Sequence, residues 1–122
     1  MQEKKKTFKS KKISELVVEG MKEKKALDIT VMDLRKIDNA VSDFFVICSG
    51  ASDTQIDSIA ESVEEVVYKA TNDRPWNKEG KINKEWILID YVDVIVHIFK
   101  KDKREFFALE ELWGDSIITK IE

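Results

Sequence analysis

A chain of 122 residues, 43% hydrophobic and 37% charged, has the length of one domain and enough apolar content to bury a core without staples. Its single Cys excludes an internal disulfide framework and fits a reducing cytoplasm, and no apolar run approaches the roughly 20 residues that span a bilayer. The net charge of −3 hides an asymmetry: residues 1–12 carry six Lys against one Glu, while the other 110 residues carry 15 basic and 23 acidic groups, a balance that disfavours DNA or general nucleic-acid binding and suits a basic protein partner.

Residues 1–12 read as a flexible basic tail, and residues 13–122 as a single domain. No apolar segment follows the lysines, so they are not a secretory signal; a solubilising arm and an RNA-touching arm both stay open. Ile13, Leu16, Val17, Gly20 and Met21 recur at helical spacing and predict a first helix of about three turns, with Lys22, Lys24 and Lys25 near its end, where cations suit the helix dipole. Leu27 to Leu34 alternates as a strand, with Leu27, Ile29 and Val31 inward, and the polar residues 35–42 make a loop.

Asp43 to Ser49 is apolar throughout, as a central strand buried on both faces requires. Gly50 breaks it, and Ser52 with Gln55 has the spacing of a capping box. The helix that follows carries Ile56, Ile59, Ala60, Val63, Val66, Val67 and Ala70 as one stripe. Residues 72–85 form a long loop with a short strand near Trp76.

Residues 86–89 and 94–99 are rich in β-branched and aromatic side chains and predict a hairpin. The turn between them lacks Gly or Asn, and a left-handed Val92 would be strained, so a type I turn or a short bulge is expected. Alternation puts Val92, Val94, Val96 and Ile98 on a core face and Tyr91, Asp93, Ile95, His97 and Phe99 on a mixed face suited to recognition. A last helix from Asp102 to Trp113 ends at Gly114, and residues 115–122 trail off. The sum is an α/β (α+β) domain of α-β-α layers with a mixed sheet.

Strong nucleotide and metal motifs are absent, and no cofactor or metal site is expected. Cys48 with His97 offers the residue types of a thiol–imidazole pair, but Cys48 lies in an apolar strand where a packing thiol belongs. Ser49, His97 and Asp93 supply the types of a hydrolytic triad without a nucleophile elbow. Gly50-Ala-Ser52 with Asp90 and Asp93 resembles a nucleotidyltransferase site; convergence of the two carboxylates on Gly50 would support that chemistry, and divergence would oppose it. For His97 alone, a structural imidazole competes with a catalytic base. The expectation is a chain that is not an enzyme.

The run Asp43-Phe-Phe-Val-Ile-Cys-Ser-Gly-Ala-Ser-Asp-Thr-Gln55, with Glu79-Gly80, Trp86-Ile-Leu-Ile-Asp-Tyr-x-Asp-Val-Ile-Val-His97 and Leu109-Glu-x-Leu-Trp113, resembles the ribosomal silencing factor family, also called Iojap-related. The resemblance spans roughly residues 13–115. Val92 stands where that family usually has Gly, and Pro75-Trp76 is less typical of it. The resemblance implies a nucleotidyltransferase-like fold without catalysis. It implies a cytoplasmic protein that binds the large ribosomal subunit through ribosomal protein uL-fourteen, blocks small-subunit joining, and so represses translation in starvation or stationary phase. It also implies homodimers off the ribosome; a large-subunit assembly role on the same surface is the alternative. The partner-binding surface is then expected at the hairpin, with Trp86, Asp90, Tyr91 and Asp93 at its centre and His97 at its edge, because large aromatics dominate binding surfaces. Burial of Trp86 as plain core is the competing reading.

Overall fold

The computed structural model describes residues 2–80, 85–103 and 114–121, with side chains from Lys9 onward. In chain order these form α1 (Gln2–Glu23), β1 (Leu27–Asp33), β2 (Phe44–Gly50), α2 (Asp53–Thr71), β3 (Asn77–Glu79), β4 (Trp86–Asp90), β5 (Val94–Lys100), a 3-10 turn at Lys101–Lys103 and β6 (Ile117–Lys120). The expected last helix over residues 102–113 lies, apart from its first two residues, outside the described residues. The strands make one sheet in the order β3-β4-β5-β2-β1-β6. Among the described strands only β2 and β5 run parallel, joined by a crossover that includes α2, so the sheet is mixed and the domain is α+β.

Helices α1 and α2 cover the same sheet face. Ile13, Leu16, Val17 and Met21 of α1 and Ile56, Ile59, Ala60, Val63 and Val67 of α2 pack in one cluster with Val46, Cys48, Ile87, Ile89, Val94, Val96 and Ile98 of the strands. Gly20 sets the helix spacing: a Cβ there would stand 2.8 Å from the Cα of Val63. Ser62, buried at the same crossing, donates its hydroxyl to the Gly20 carbonyl at 2.8 Å, so the contact is polar-satisfied as well as close. The other sheet face has its own smaller cluster of Met32, Leu34, Phe45, Ile47 and Phe99. Every residue of β2 is buried, as its unbroken apolar run predicts.

Several expectations need correction. Helix α1 starts at Gln2, without a break where the apolar stripe begins at Ile13, because lysine is a good helix former and adds no interruption. It ends with Lys25 in the left-handed region at φ 57, and the Ala26 and Lys25 amides return to the carbonyls of Met21 and Lys22 at 3.0 Å. Strand β1 is less regular than its alternation suggests, with a bulge between Leu27 and Thr30: Leu27 is only half-buried, whereas Met32 and Leu34 are wholly buried on the second face. Ala70, expected in the buried stripe of α2, is exposed.

The capping box is also shifted by one donor. Ser52 Oγ accepts from the Gln55 backbone amide at 3.1 Å, but the Gln55 side-chain Oε1 accepts the Ala51 amide at 2.7 Å, and its Nε2 donates to the backbone carbonyls of Lys24 and Lys25 at 3.2 Å. Gln55 thereby ties the start of α2 to the end of α1. Residues 117–120, expected to trail off, form the edge strand β6 against β1.

Candidate functional site

The hairpin β4–β5 forms as expected, with Trp86 opposite Phe99, Leu88 opposite His97 and Asp90 opposite Ile95. Its turn does not. Val92 takes φ 74, the left-handed conformation that its β-branched side chain resists. The Asp93 amide donates back to the Tyr91 carbonyl at 2.9 Å, which closes a three-residue γ-turn. Asp90 Oδ1 accepts the Val92 amide at 2.7 Å, and the Tyr91 amide bonds the Val94 carbonyl at 2.9 Å. The turn is therefore held at every amide.

This turn anchors its neighbours. The Asp93 carbonyl accepts the amides of both Asp43 and Phe44, at 2.9 and 3.1 Å, which fixes the start of β2 beside it. The Asp90 carbonyl accepts the Trp76 amide at 2.7 Å, so the segment leading into β3 is fastened on the other side. Gly80 ends that edge strand at φ +88, where a Cβ would stand 1.9 Å from the Trp86 carbonyl oxygen; only glycine lets the two backbones approach.

The five expected surface residues do not share one exposed face. Tyr91 is 8% exposed and belongs to the helix-covered core, so it lies on the opposite side of the sheet from Trp86 and His97. Burial, with Glu64 and Asp73 nearby, pushes its phenol well above the usual tyrosine range. His97 is 3% exposed and sits on the second face, with Phe45 edge-on at 4.8 Å and Phe99 stacked parallel at 6.2 Å. Burial holds its pKa down at about 3, so the ring is neutral. Trp86 is half-buried, stacks on Phe99 at 5.3 Å and donates its indole N–H to His97 Nδ1 at 3.0 Å. Asp90 and Asp93 are half-buried at the turn. Tyr91 and His97 are thus supports beneath the hairpin, while Trp86, Asp90 and Asp93 reach solvent.

The groups weighed for catalysis stay apart. Cys48 faces the helices and His97 the other side of the sheet. His97 spends Nδ1 on Trp86, and its Nε2 meets no partner among the described residues, neither Ser49 nor Asp93. Gly50 pairs with Lys100 at one end of the β2–β5 ladder, while Asp93 and Asp90 lie at the other. Six residues of strand separate the two ends, about 20 Å at roughly 3.3 Å per residue. The carboxylates diverge from Gly50, and a Cβ at Gly50 would meet Ile56 Cγ1 at 2.9 Å, so this glycine serves strand–helix packing. Among the described residues no three His, Cys, Asp or Glu side chains group to hold a metal ion.

Two side chains escaped the reading of the sequence, Trp76 at 75% exposed and Val41 at 63%. A third, Val92, expected on the core face, is instead 54% exposed because its positive φ turns it out of the strand; all three flank the segments fastened to Asp90 and Asp93. A Trp in a charged loop beside the only Pro was the available signal.

Residues 7–122 match the family described as ribosomal silencing factor during starvation. A ribosomal silencing factor RsfS from Halalkalibacterium halodurans is 34% identical over 113 residues, covering 93% of this chain and 95% of the relative. The Bacillus subtilis protein of the same name is 34% identical over 112 residues, covering 92% and 93%. A crystal structure of a Chromobacterium violaceum protein superposes with a TM-score of 0.79 at 31% identity, covering 85% of each chain. Another, from Bacillus halodurans, gives 0.74 at 32% identity, covering 92% of this chain and 98% of that one.

Proposed function

Because the chain belongs to the ribosomal silencing factor family, we propose that it binds the large ribosomal subunit through ribosomal protein uL-fourteen and, by its bulk, keeps the small subunit from joining. Translation is thereby repressed in starvation or stationary phase, in the cytoplasm, and no chemical step is involved. The observation that carries this reading is the match to that family along residues 7–122, nearly the whole chain. The acidic balance of the residues beyond the tail supports a basic partner.

The contact surface in this proposal is the hairpin, from Trp86 at its open end to Asp90 and Asp93 at its turn. Trp86 supplies an aromatic platform whose ring is oriented by His97 and Phe99. Asp90 and Asp93 supply carboxylates for Arg or Lys of the partner, giving orientation and association rate more than net affinity. Tyr91 supports the turn from the core side. Off the ribosome the protein pairs with a second copy.

Sedimentation with purified large subunits, with and without small subunits, tests the reading. The expected result is co-sedimentation with the large subunit and a fall in the joined fraction as the protein is added. Failure to pellet with large subunits, or joined ribosomes that form normally in its presence, would overturn it.

A further inference from the structure

Val92 combines two unfavourable features that only the hydrogen bonds of the turn hold in place. Its φ of 74 is costly for a β-branched residue, and its side chain is 54% exposed, so packing within the chain does not offset the strain. Glycine would take the same turn without cost. Beside it stands Trp76, 75% exposed on the outermost edge of the sheet and tied through its amide to the Asp90 carbonyl. Val41, 63% exposed, precedes the Asp43 amide that bonds the Asp93 carbonyl. Three of the six large hydrophobic side chains that are exposed among the described residues therefore gather around one turn.

The border of this patch is acidic. Asp38, Asp43, Asp90 and Asp93 lie on the same hydrogen-bonded segments, against Lys36, an Arg74 stacked over Tyr68, a Lys78 paired with Glu64 and an Arg35 that holds Asp33 in a two-pronged pair at 2.9 and 2.7 Å. Apolar centres with a charged rim are the composition of docking surfaces, and exposed Trp is the residue type that most often dominates them. Carboxylates at the rim select a basic protein surface.

We propose that Trp76, Val92 and Val41 form an apolar contact at the turn of the hairpin that docks on a basic protein of the large ribosomal subunit, one strand length along β4 from Trp86. The inference rests on the ribosome-binding reading above and adds the residues that set affinity and partner match. The strained turn then has a purpose: it holds Val92 outward for a partner to cover.

The test measures affinity for purified large subunits and melting temperature in the same four proteins: wild type, Val92→Gly, Trp76→Ala and Ile117→Ala. Ile117 is 53% exposed on β6, at the far edge of the sheet, and serves as the control. The expected result is that Val92→Gly melts at or above the wild-type temperature yet binds more than threefold more weakly. Trp76→Ala melts normally and also loses more than threefold, and Ile117→Ala binds as wild type. A loss of threefold or less in either patch variant, a lowered melting temperature for Val92→Gly, or an equal loss in Ile117→Ala would overturn the proposal while leaving ribosome binding intact. A wild-type protein that does not bind large subunits would overturn the underlying reading and this contact with it.

Discussion

The indole N–H of Trp86 donates to Nδ1 of His97 at 3.0 Å, and this bond fixes the imidazole as the neutral tautomer with its proton on Nε2. The Nε2 atom is buried without a partner among the described residues. Protonation would abolish the acceptor and place a charge among Phe45, Trp86 and Phe99, which is why burial presses the pKa to about 3.

A pH dependence of stability follows. The unfolded chain binds a proton at His97 near pH 6.5 and the folded chain only near 3, so stability falls as pH drops through that window and levels off below it. At pH 5 the loss amounts to about 2 kcal/mol. Asp33, whose carboxyl the Arg35 guanidinium holds below its usual range, loses its contribution only below its ordinary value of 3.8, so it adds nothing to the change between pH 7 and pH 5. Denaturant midpoints between pH 7 and pH 5 measure the His97 component. His97→Asn keeps an acceptor near Nδ1 and removes the titration, so its unfolding free energy is expected to change about 2 kcal/mol less over this range; an unchanged slope would disprove the assignment.

Gly20→Ala is expected to destabilise the domain, although Ala is the better helix former by about 1 kcal/mol. The added Cβ meets the backbone of Val63 at 2.8 and 3.0 Å, and backbone cannot rotate away. Forcing α1 from α2 costs about 1–3 kcal/mol and also stretches the Ser62 bond to the Gly20 carbonyl. Thermal melts decide the sign: a raised melting temperature would mean that the helices separate freely.

What could be read in the sequence was whatever repeats with a period. The α2 stripe, the buried β2 run and the hairpin strands all persist long enough for period and face to agree. The side of Tyr91 could not be read that way. Counting alternation back from His97 assumes a continuous strand, but β5 starts at Val94, and the positive φ at Val92 resets the pleat. His97 misled for another reason. A mixed aromatic and polar face looks exposed along one strand, and only the neighbouring strands, with Met32, Phe45 and Ile47, show that it is core as well. Strand β6 carries four exposed residues in no alternating pattern, so nothing marked it except β-branching at Ile117, Ile118 and Thr119.

The lysines at the N-terminus are expected to be dispensable for ribosome binding. Ser10 is 1% exposed and Lys9 pairs with Asp73 at 3.2 Å, so the useful truncation stops before them. Removing residues 2–8 should leave melting unchanged and large-subunit affinity within about tenfold, equivalent to about 1.4 kcal/mol. Co-sedimentation at two salt concentrations reads this. A larger loss that shrinks at high salt would make the segment an RNA-touching arm.

Tyr91 separates a supporting role from a contacting one. Its hydroxyl is buried and meets no partner among the described residues, so the ring contributes apolar packing and the oxygen carries an uncompensated desolvation cost. Tyr91→Phe should therefore melt at or above the wild-type temperature, by up to about 1 kcal/mol, and bind large subunits as wild type. Tyr91→Ala should lose about 3 kcal/mol of stability through the cavity it leaves, with binding falling only as far as folded protein is lost. Trp86 should behave in the opposite way: Trp86→Phe keeps the stack on Phe99, melts within about 1 kcal/mol of wild type, and weakens binding because the ring is no longer held by His97. Paired melts and affinities for the three variants test this. A Tyr91→Phe protein that folds normally but binds poorly would place the phenol in the partner contact and reverse the two roles.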